Sequence, residues 1–143
     1  MRGTVYFDGG ARAGKNGNKG HAGCAIVMHI ETTPDTPIES TKYLGDQTNN
    51  VAEYEALLLG MRMALAYGVD DLQLVSDSKL VVEQVLGEWE VKNPRLKILC
   101  AEAREMATQF VKCEILHVRR ELNRHADRLV TKLLDDRSKK KRQ

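Results

Sequence analysis

No stretch of this chain approaches the roughly 18 consecutive apolar residues that a membrane-spanning helix needs. The start of the chain also lacks a secretory leader's apolar core, because a charge at Arg2 is followed by a polar-alternating stretch. A soluble, cytoplasmic protein with no membrane partner is expected. Cysteine is scarce. The three residues, Cys24, Cys100 and Cys113, are odd in number, far apart and set among apolar neighbours, so neither a disulfide framework nor a paired-cysteine metal site is indicated. They read as reduced core residues. There is no internal repeat, and the single low-complexity segment is the basic end. What is present, 143 residues with 42% hydrophobic side chains, suffices for one domain that buries a core without staples, and a monomer is expected.

The formal net charge is +2, but residues 137–143 hold five positive charges and no negative ones, so the rest of the chain carries −3. A nucleic-acid-binding body with that balance needs bound cations or local basic patches to offset phosphate repulsion. The division expected is a domain over residues 1–136 and a basic, disordered tail over residues 137–143.

Thr4-Val5-Tyr6-Phe7 is β-branched and aromatic and meets Asp8-Gly9-Gly10, which reads as a strand entering a turn. Residues 11–20 are rich in Gly, Lys and Asn and read as a loop. Apolar residues return over Ala22–Ile30, and a proline-bearing loop separates them from a third strand at Ile38–Leu44. After Thr48 the period switches from two to 3.6. Val51, Tyr54, Leu58, Met61 and Leu65 mark an amphipathic helix stopped by Gly68. Leu72–Val75 is a strand, Ser78–Leu86 a helix closed by Gly87, Pro94–Phe110 a helix, Lys112–Val118 a strand and Asn123–Asp136 a final helix. The order β-β-β-α-β-α-α-β-α is an α/β arrangement, a mixed sheet with helices on its faces.

This layout brings four acidic residues toward one edge of the sheet: Asp8, Glu53, Asp77 and Asp127. Each has a local explanation as well. Asp8 suits a turn before two glycines, Glu53 completes a capping box with Asn50, Asp77 suits a helix N-cap, and Asp127 complements a helix dipole. Local roles do not explain why all four should converge. Gathered together they would repel one another and raise their own pKa values unless a divalent cation sat among them. Oxygen ligands alone, with no Cys/His set, suit Mg²⁺ or Mn²⁺ rather than zinc. Two such ions support in-line phosphodiester cleavage, which makes a nuclease the leading class.

Four segments, Asp8-Gly9-Gly10-Ala11-Arg12, Thr48-Asn49-Asn50-Val51-Ala52-Glu53-Tyr54, Ser76-Asp77-Ser78 and Asn123-Arg124-His125-Ala126-Asp127, resemble in order the signatures of type 1 ribonuclease H. The resemblance spans Arg2 to about Leu134. It implies a five-stranded mixed sheet, three antiparallel strands then two parallel, with helices on both faces. It implies an endoribonuclease that cuts the RNA strand of an RNA/DNA hybrid and leaves 5′-phosphate and 3′-hydroxyl ends. Asp8, Glu53, Asp77 and Asp127 would hold two Mg²⁺ ions, with Asp8 bridging and Mn²⁺ able to substitute. Asn49 and Asn50 would read the minor groove, where 2′-hydroxyls mark RNA. Thr48 and Arg12 would lie near DNA phosphates, and Gly9, Gly10, Ser78, Lys79, Arg120 and Asn123 are the other substrate contacts implied. Capping remains an alternative role for Thr48 and Asn49.

The chain also departs from that pattern. Where bacterial members carry a histidine before the last carboxylate, Arg120 stands, as in the archaeal-type branch, a basic group that does not titrate. His125, two residues from Asp127 on a helix, should point elsewhere. Gly87–Asn93 is too short for the basic protrusion that bacterial members use on DNA, and Trp89 within it packs on a helix or on the substrate backbone. Lys79 replaces the family's glutamine. Two competing functions keep the fold or the binding but change the chemistry: a DNA-acting nuclease, and a non-catalytic RNA- or hybrid-binding module. Cleavage of double-stranded RNA is a further activity that the archaeal-like branch suggests.

Overall fold

The computed structural model describes residues 1–12 and 19–142, with the side chains of the last helix followed to Ser138. Strands β1 (Arg2–Arg12), β2 (Gly20–Ile30) and β3 (Ile38–Gln47) are followed by α1 (Asn49–Ala66), β4 (Asp71–Ser76), α2 (Lys79–Leu86), α3 (Pro94–Ala107), β5 (Lys112–His117) and α4 (Arg124–Arg142), with a short 3₁₀ turn over Arg120–Leu122. The sheet order is β3-β2-β1-β4-β5. β1 and β3 flank β2 antiparallel, while β4 and β5 continue parallel to β1, as expected.

Central β1 shows why this sequence makes a two-sided sheet. Val5 and Phe7 are fully buried under α1, and the intervening Thr4 and Tyr6 are half-buried on the opposite face. The main core joins these strands to α1, α2 and α3. A separate and much smaller cluster of Ala25, Val130 and Leu134 seats α4 on the other face. α1 is not the one-sided amphipathic helix expected. Between Val51 and Met61 no residue is exposed, because α3 covers the side turned away from the sheet. Arg104 of α3 donates to the Gln84 carbonyl at 2.6 Å and the Val85 carbonyl at 3.2 Å, satisfying the last turn of α2.

Several boundaries differ from expectation, among them β3, which runs on to Gln47 rather than ending at Leu44. β1 does not turn at Asp8-Gly9-Gly10 but stays paired with β2 as far as Arg12 opposite His21. Of the loop expected over residues 11–20, residues 13–18 lie outside the described residues. α3 ends at Ala107, and Thr108 to Phe110 follow in i→i+3 bonds. The basic segment expected as a disordered tail is instead the end of α4, helical through Arg142, with Gln143 outside the described residues. No glycine or proline follows Asp136 to stop the helix, and cations suit its C-terminal pole. His21 Nε2 lies 3.4 Å from the Leu134 carbonyl, and the Arg137 guanidinium stands 4.1 Å from the Tyr43 ring centre, pinning this end of α4 to the sheet.

All three cysteines are free, with Cys24 and Cys100 buried and Cys113 half-buried. Among the described residues no helix is long and apolar enough to cross a membrane. α2 and α3 are joined by Gly87–Asn93 alone, so no protrusion rises between them.

Candidate active site

The site begins with a divergence of strands. β4 pairs with β1 only as far as Tyr6 opposite Val75, so beyond that point the β4-facing edge of β1 has no ladder partner. The Phe7 carbonyl and the Gly9 N–H lie along that edge and must be satisfied by other means. Asn123 Nδ2 donates to the Phe7 carbonyl at 2.9 Å, and the Gly9 N–H donates to Glu53 Oε1 at 2.5 Å. Two side chains from distant helix starts are thereby anchored on either side of Asp8.

Glu53 is free to do this because the α1 cap is Thr48, whose Oγ1 accepts from the Val51 N–H at 3.1 Å. The capping box expected around Asn50 does not form. The frame is one residue pair earlier, which leaves Glu53 in the interior-facing second turn. Gly9 makes the approach possible. A Cβ there would lie 2.2 Å from the Ala52 carbonyl carbon and oxygen, so only glycine lets the α1 backbone come this close to β1.

Asp77 follows the last residue of β4. It is not the α2 cap either, since Ser78 Oγ takes the Val81 N–H, and the Ser78 N–H donates to Ser76 Oγ at 3.0 Å. The Asp77 carboxylate instead accepts from Asn123 Nδ2 at 2.8 Å. Asp127 sits in the first turn of α4, where its N–H donates to the Asn123 carbonyl and its side chain lies 3.5 Å from the Arg120 guanidinium.

All four carboxylates line one open cleft of about 410 Å³, together with Gly9, Gly10, Arg12, Asn49, Ser78 and Arg120. Among the described residues no three acidic, His or Cys side chains close around a single point as a finished metal cage would. Thr131 and Leu134 complete the α4 wall, and their places four and seven residues after Asp127 are the helical signal that marks them. The other residues singled out from sequence lie off the wall. Thr48 is the half-buried cap, Asn50 is exposed in the first turn of α1, and Asn123 is buried. Lys79 is exposed, paired with Glu83 at 4.0 Å and 5.9 Å from the Trp89 ring centre. Trp89 itself remains 43% exposed. Arg12 is in the wall but paired with Asp135, and His125 pairs with Glu39 of β3, away from the cleft.

The electrostatics match the crowding. Burial, then the charges of Glu53 and Asp77, pushes the Asp8 carboxyl far above the usual carboxylate range. Glu53 is raised by its own burial, with the Gly9 N–H partly opposing the shift. No protein cation is paired with either one among the described residues. Arg120 meets the cluster only at Asp127, and its side chain is 75% exposed. Such a set of hard oxygen donors, short of positive charge, suits divalent cations.

A family model described as reverse transcriptase-like matches residues 7–133. A Mycobacterium tuberculosis protein named as bifunctional is 38% identical over 135 residues, which is 94% of this chain and 36% of that protein. The chain therefore spans about a third of the length of that relative. Among solved structures, RNase H1 from the halophilic archaeon Halobacterium salinarum superposes with a TM-score of 0.86 at 37% identity, covering 95% of this chain and 99% of that one. LC11-RNase H1, solved in complex with an RNA/DNA hybrid, superposes with a TM-score of 0.83 at 36% identity, over 94% and 97% of the two chains.

Proposed function

The chain belongs to the type 1 ribonuclease H family, and on that premise we propose that it is an endoribonuclease hydrolysing the RNA strand of RNA/DNA hybrids in the cleft around Asp8. The observation that carries the reading is the meeting in one cleft of Asp8, Glu53, Asp77 and Asp127, from four separate stretches of the chain, with two of them desolvated and lacking a cationic partner among the described residues. Folding such a cluster is unfavourable unless a cation is part of the working state.

These four side chains would hold a pair of Mg²⁺ ions, or Mn²⁺ in their place. Bound there, such ions would supply a water nucleophile and stabilise charge at the leaving 3′-oxygen, the chemistry of a hydrolysis that leaves 5′-phosphate and 3′-hydroxyl ends. The protein's own part is to bind and orient. Asn49 in the cleft wall and Asn50 beside it face the minor groove of the hybrid, and the Gly9 and Gly10 backbone lets the RNA strand approach the carboxylates. Thr48 and Arg12 lie toward the DNA strand, with Arg12 steadied by Asp135. Ser78 and Lys79 flank the cleft at the start of α2. Arg120 at the rim meets phosphate or releases product with a charge that no physiological pH removes. The enzyme acts as a monomer in the cytoplasm.

The decisive assay compares labelled RNA/DNA, RNA/RNA, DNA/DNA and single-stranded RNA with Mg²⁺, with Mn²⁺ and with chelator. Cleavage of the hybrid's RNA that disappears with chelator is expected. RNA/RNA cleavage would extend the substrate range. Equal cutting of duplex DNA would move the chain to DNA chemistry, and binding without turnover would make it a non-catalytic module.

The basic end of α4 is the natural place for affinity that ignores sequence. Deleting residues 137–143 should weaken hybrid binding at low salt and flatten its dependence on salt, by about one unit of log–log slope for every phosphate that the shortened chain no longer neutralises. Cleavage at saturating hybrid should persist. A salt slope identical to that of the full chain would leave these residues without a role in binding.

A further inference from the structure

Asn123 stands in one of the signature segments and was expected to touch substrate, yet its side chain is only 1% exposed and does not line the cleft. Its amide nitrogen donates to two acceptors at once, the Phe7 carbonyl at 2.9 Å and Asp77 Oδ1 at 2.8 Å. Because both neighbours can only accept, the amide cannot be turned the other way, and the orientation follows from chemistry. Its own Oδ1 is buried and has no partner among the described residues. Its backbone carbonyl accepts the Asp127 N–H at 3.2 Å. One residue thus ties the strand segment beside Asp8, the Asp77 carboxylate and the first turn carrying Asp127.

The geometry points to Asn123 as a positioning residue that presets three of the four carboxylates for divalent cations, a role that rests on the metal-binding reading above. A neutral donor is suited to this task. An Arg or Lys at this place would fix Asp77 equally well but would neutralise it and compete with the cation, whereas an amide holds one oxygen and leaves the full charge available.

The test uses Asn123→Leu, close in volume and without a donor, and Asn123→Asp, nearly identical in shape but presenting oxygens to the Phe7 carbonyl and Asp77. Two quantities are read: hybrid cleavage against Mg²⁺ concentration, and the rise in melting temperature that Mg²⁺ causes without substrate. For both variants we expect the Mg²⁺ midpoint of each curve to rise about 10- to 100-fold, with kcat at fixed Mg²⁺ lowered similarly and partly restored by excess metal. KM for the hybrid should stay within about twofold of wild type. A raised KM with an unchanged Mg²⁺ midpoint would overturn the inference in favour of direct substrate contact. A lower melting temperature with unmoved midpoints would reduce Asn123 to a packing residue. If Asn123→Leu does not fold, the near-isosteric Asn123→Asp carries the same comparison. Absence of any Mg²⁺-dependent stabilisation in the wild type would defeat the metal-binding reading itself, a result distinct from wild-type behaviour in the two variants.

Discussion

Asp8→Asn is expected to slow hybrid cleavage by about a thousandfold, ~4 kcal/mol in the barrier, while raising the melting temperature of the metal-free protein. Both effects have one origin. Asp8 is buried, 6% exposed as a residue, on the central strand, where burial first, and then the charges of Glu53, Asp77 and Asp127, raise its carboxyl pKa. A carboxyl whose pKa is higher in the folded chain than in the unfolded one holds its proton more tightly when folded. Its contribution to stability is therefore complete below the ordinary carboxylate pKa of about 4 and is lost as pH rises through the elevated value. The same sign applies to Glu53. In chelator, the wild type should lose stability between pH 5 and 8.5 relative to the Asn variant, by on the order of 1–3 kcal/mol. Adding Mg²⁺ should narrow or reverse that gap, because the cation favours the ionised cluster that the variant cannot fully form. Thermal melts of both proteins across this range, with chelator and then with Mg²⁺, provide the measurement. Parallel pH profiles would refute the electrostatic account, and undiminished cleavage by the variant would refute the active-site assignment.

Gly9→Ala should be the most damaging single-methyl change in the cleft. The added carbon would sit 2.2 Å from the Ala52 carbonyl carbon and oxygen and 2.5 Å from the Glu53 nitrogen. These are backbone atoms of a helix, which cannot swing aside as the end of a side chain can. α1 would have to lift from β1, taking with it the Glu53 carboxylate and the Thr48-Asn49-Asn50 corner. We expect a loss of about 3 kcal/mol or more and little cleavage even from the fraction that remains folded. Gly10→Ala next door supplies the comparison. Its Cβ would meet Val130 Cγ1 at 3.4 Å, an ordinary contact, so its unfolding midpoint should stay within about 0.5 kcal/mol of wild type. Denaturant unfolding of the pair decides the matter. Similar midpoints would show that the α1–β1 approach is not what holds the cleft together.

The elements with strong periodicity were legible before the structure. The switch from alternation to helical spacing at Thr48 and the glycines after α1 and α2 lie where local physics puts them, whereas the α2 cap is Ser78 and not the expected Asp77. The four carboxylates that line the cleft could be picked out because each falls in a short, ordered motif. Features set by partners distant in sequence could not be read. Asp8-Gly9-Gly10 has the composition of a turn, yet pairing with Ala25, Cys24 and Gly23 keeps it in the strand, and the glycines answer to a helix more than 40 residues on. Glu53 fits a capping box as well as an inward carboxylate, and only the one-residue-pair shift to Thr48 distinguishes them. Asn123 was expected to touch substrate because it opens a signature segment of the family it resembles. Its actual partners, Phe7 and Asp77, are 116 and 46 residues away. The burial of α1 on two sides depends on α3, which no window around α1 contains.

The unequal division of the interior sets an order of failure on heating. α4 delivers Asp127, but it is seated by the small cluster of Ala25, Val130 and Leu134, while the rest of the domain shares the large core beneath α1. Each fully buried Val, Leu or Phe contributes about 1.5–3 kcal/mol, so detaching α4 sacrifices far less than melting the sheet. Catalysis should then vanish some degrees before the bulk of the helix signal does. The molecule would survive this inactivation as a recognisable scaffold and recover as soon as one helix settles back.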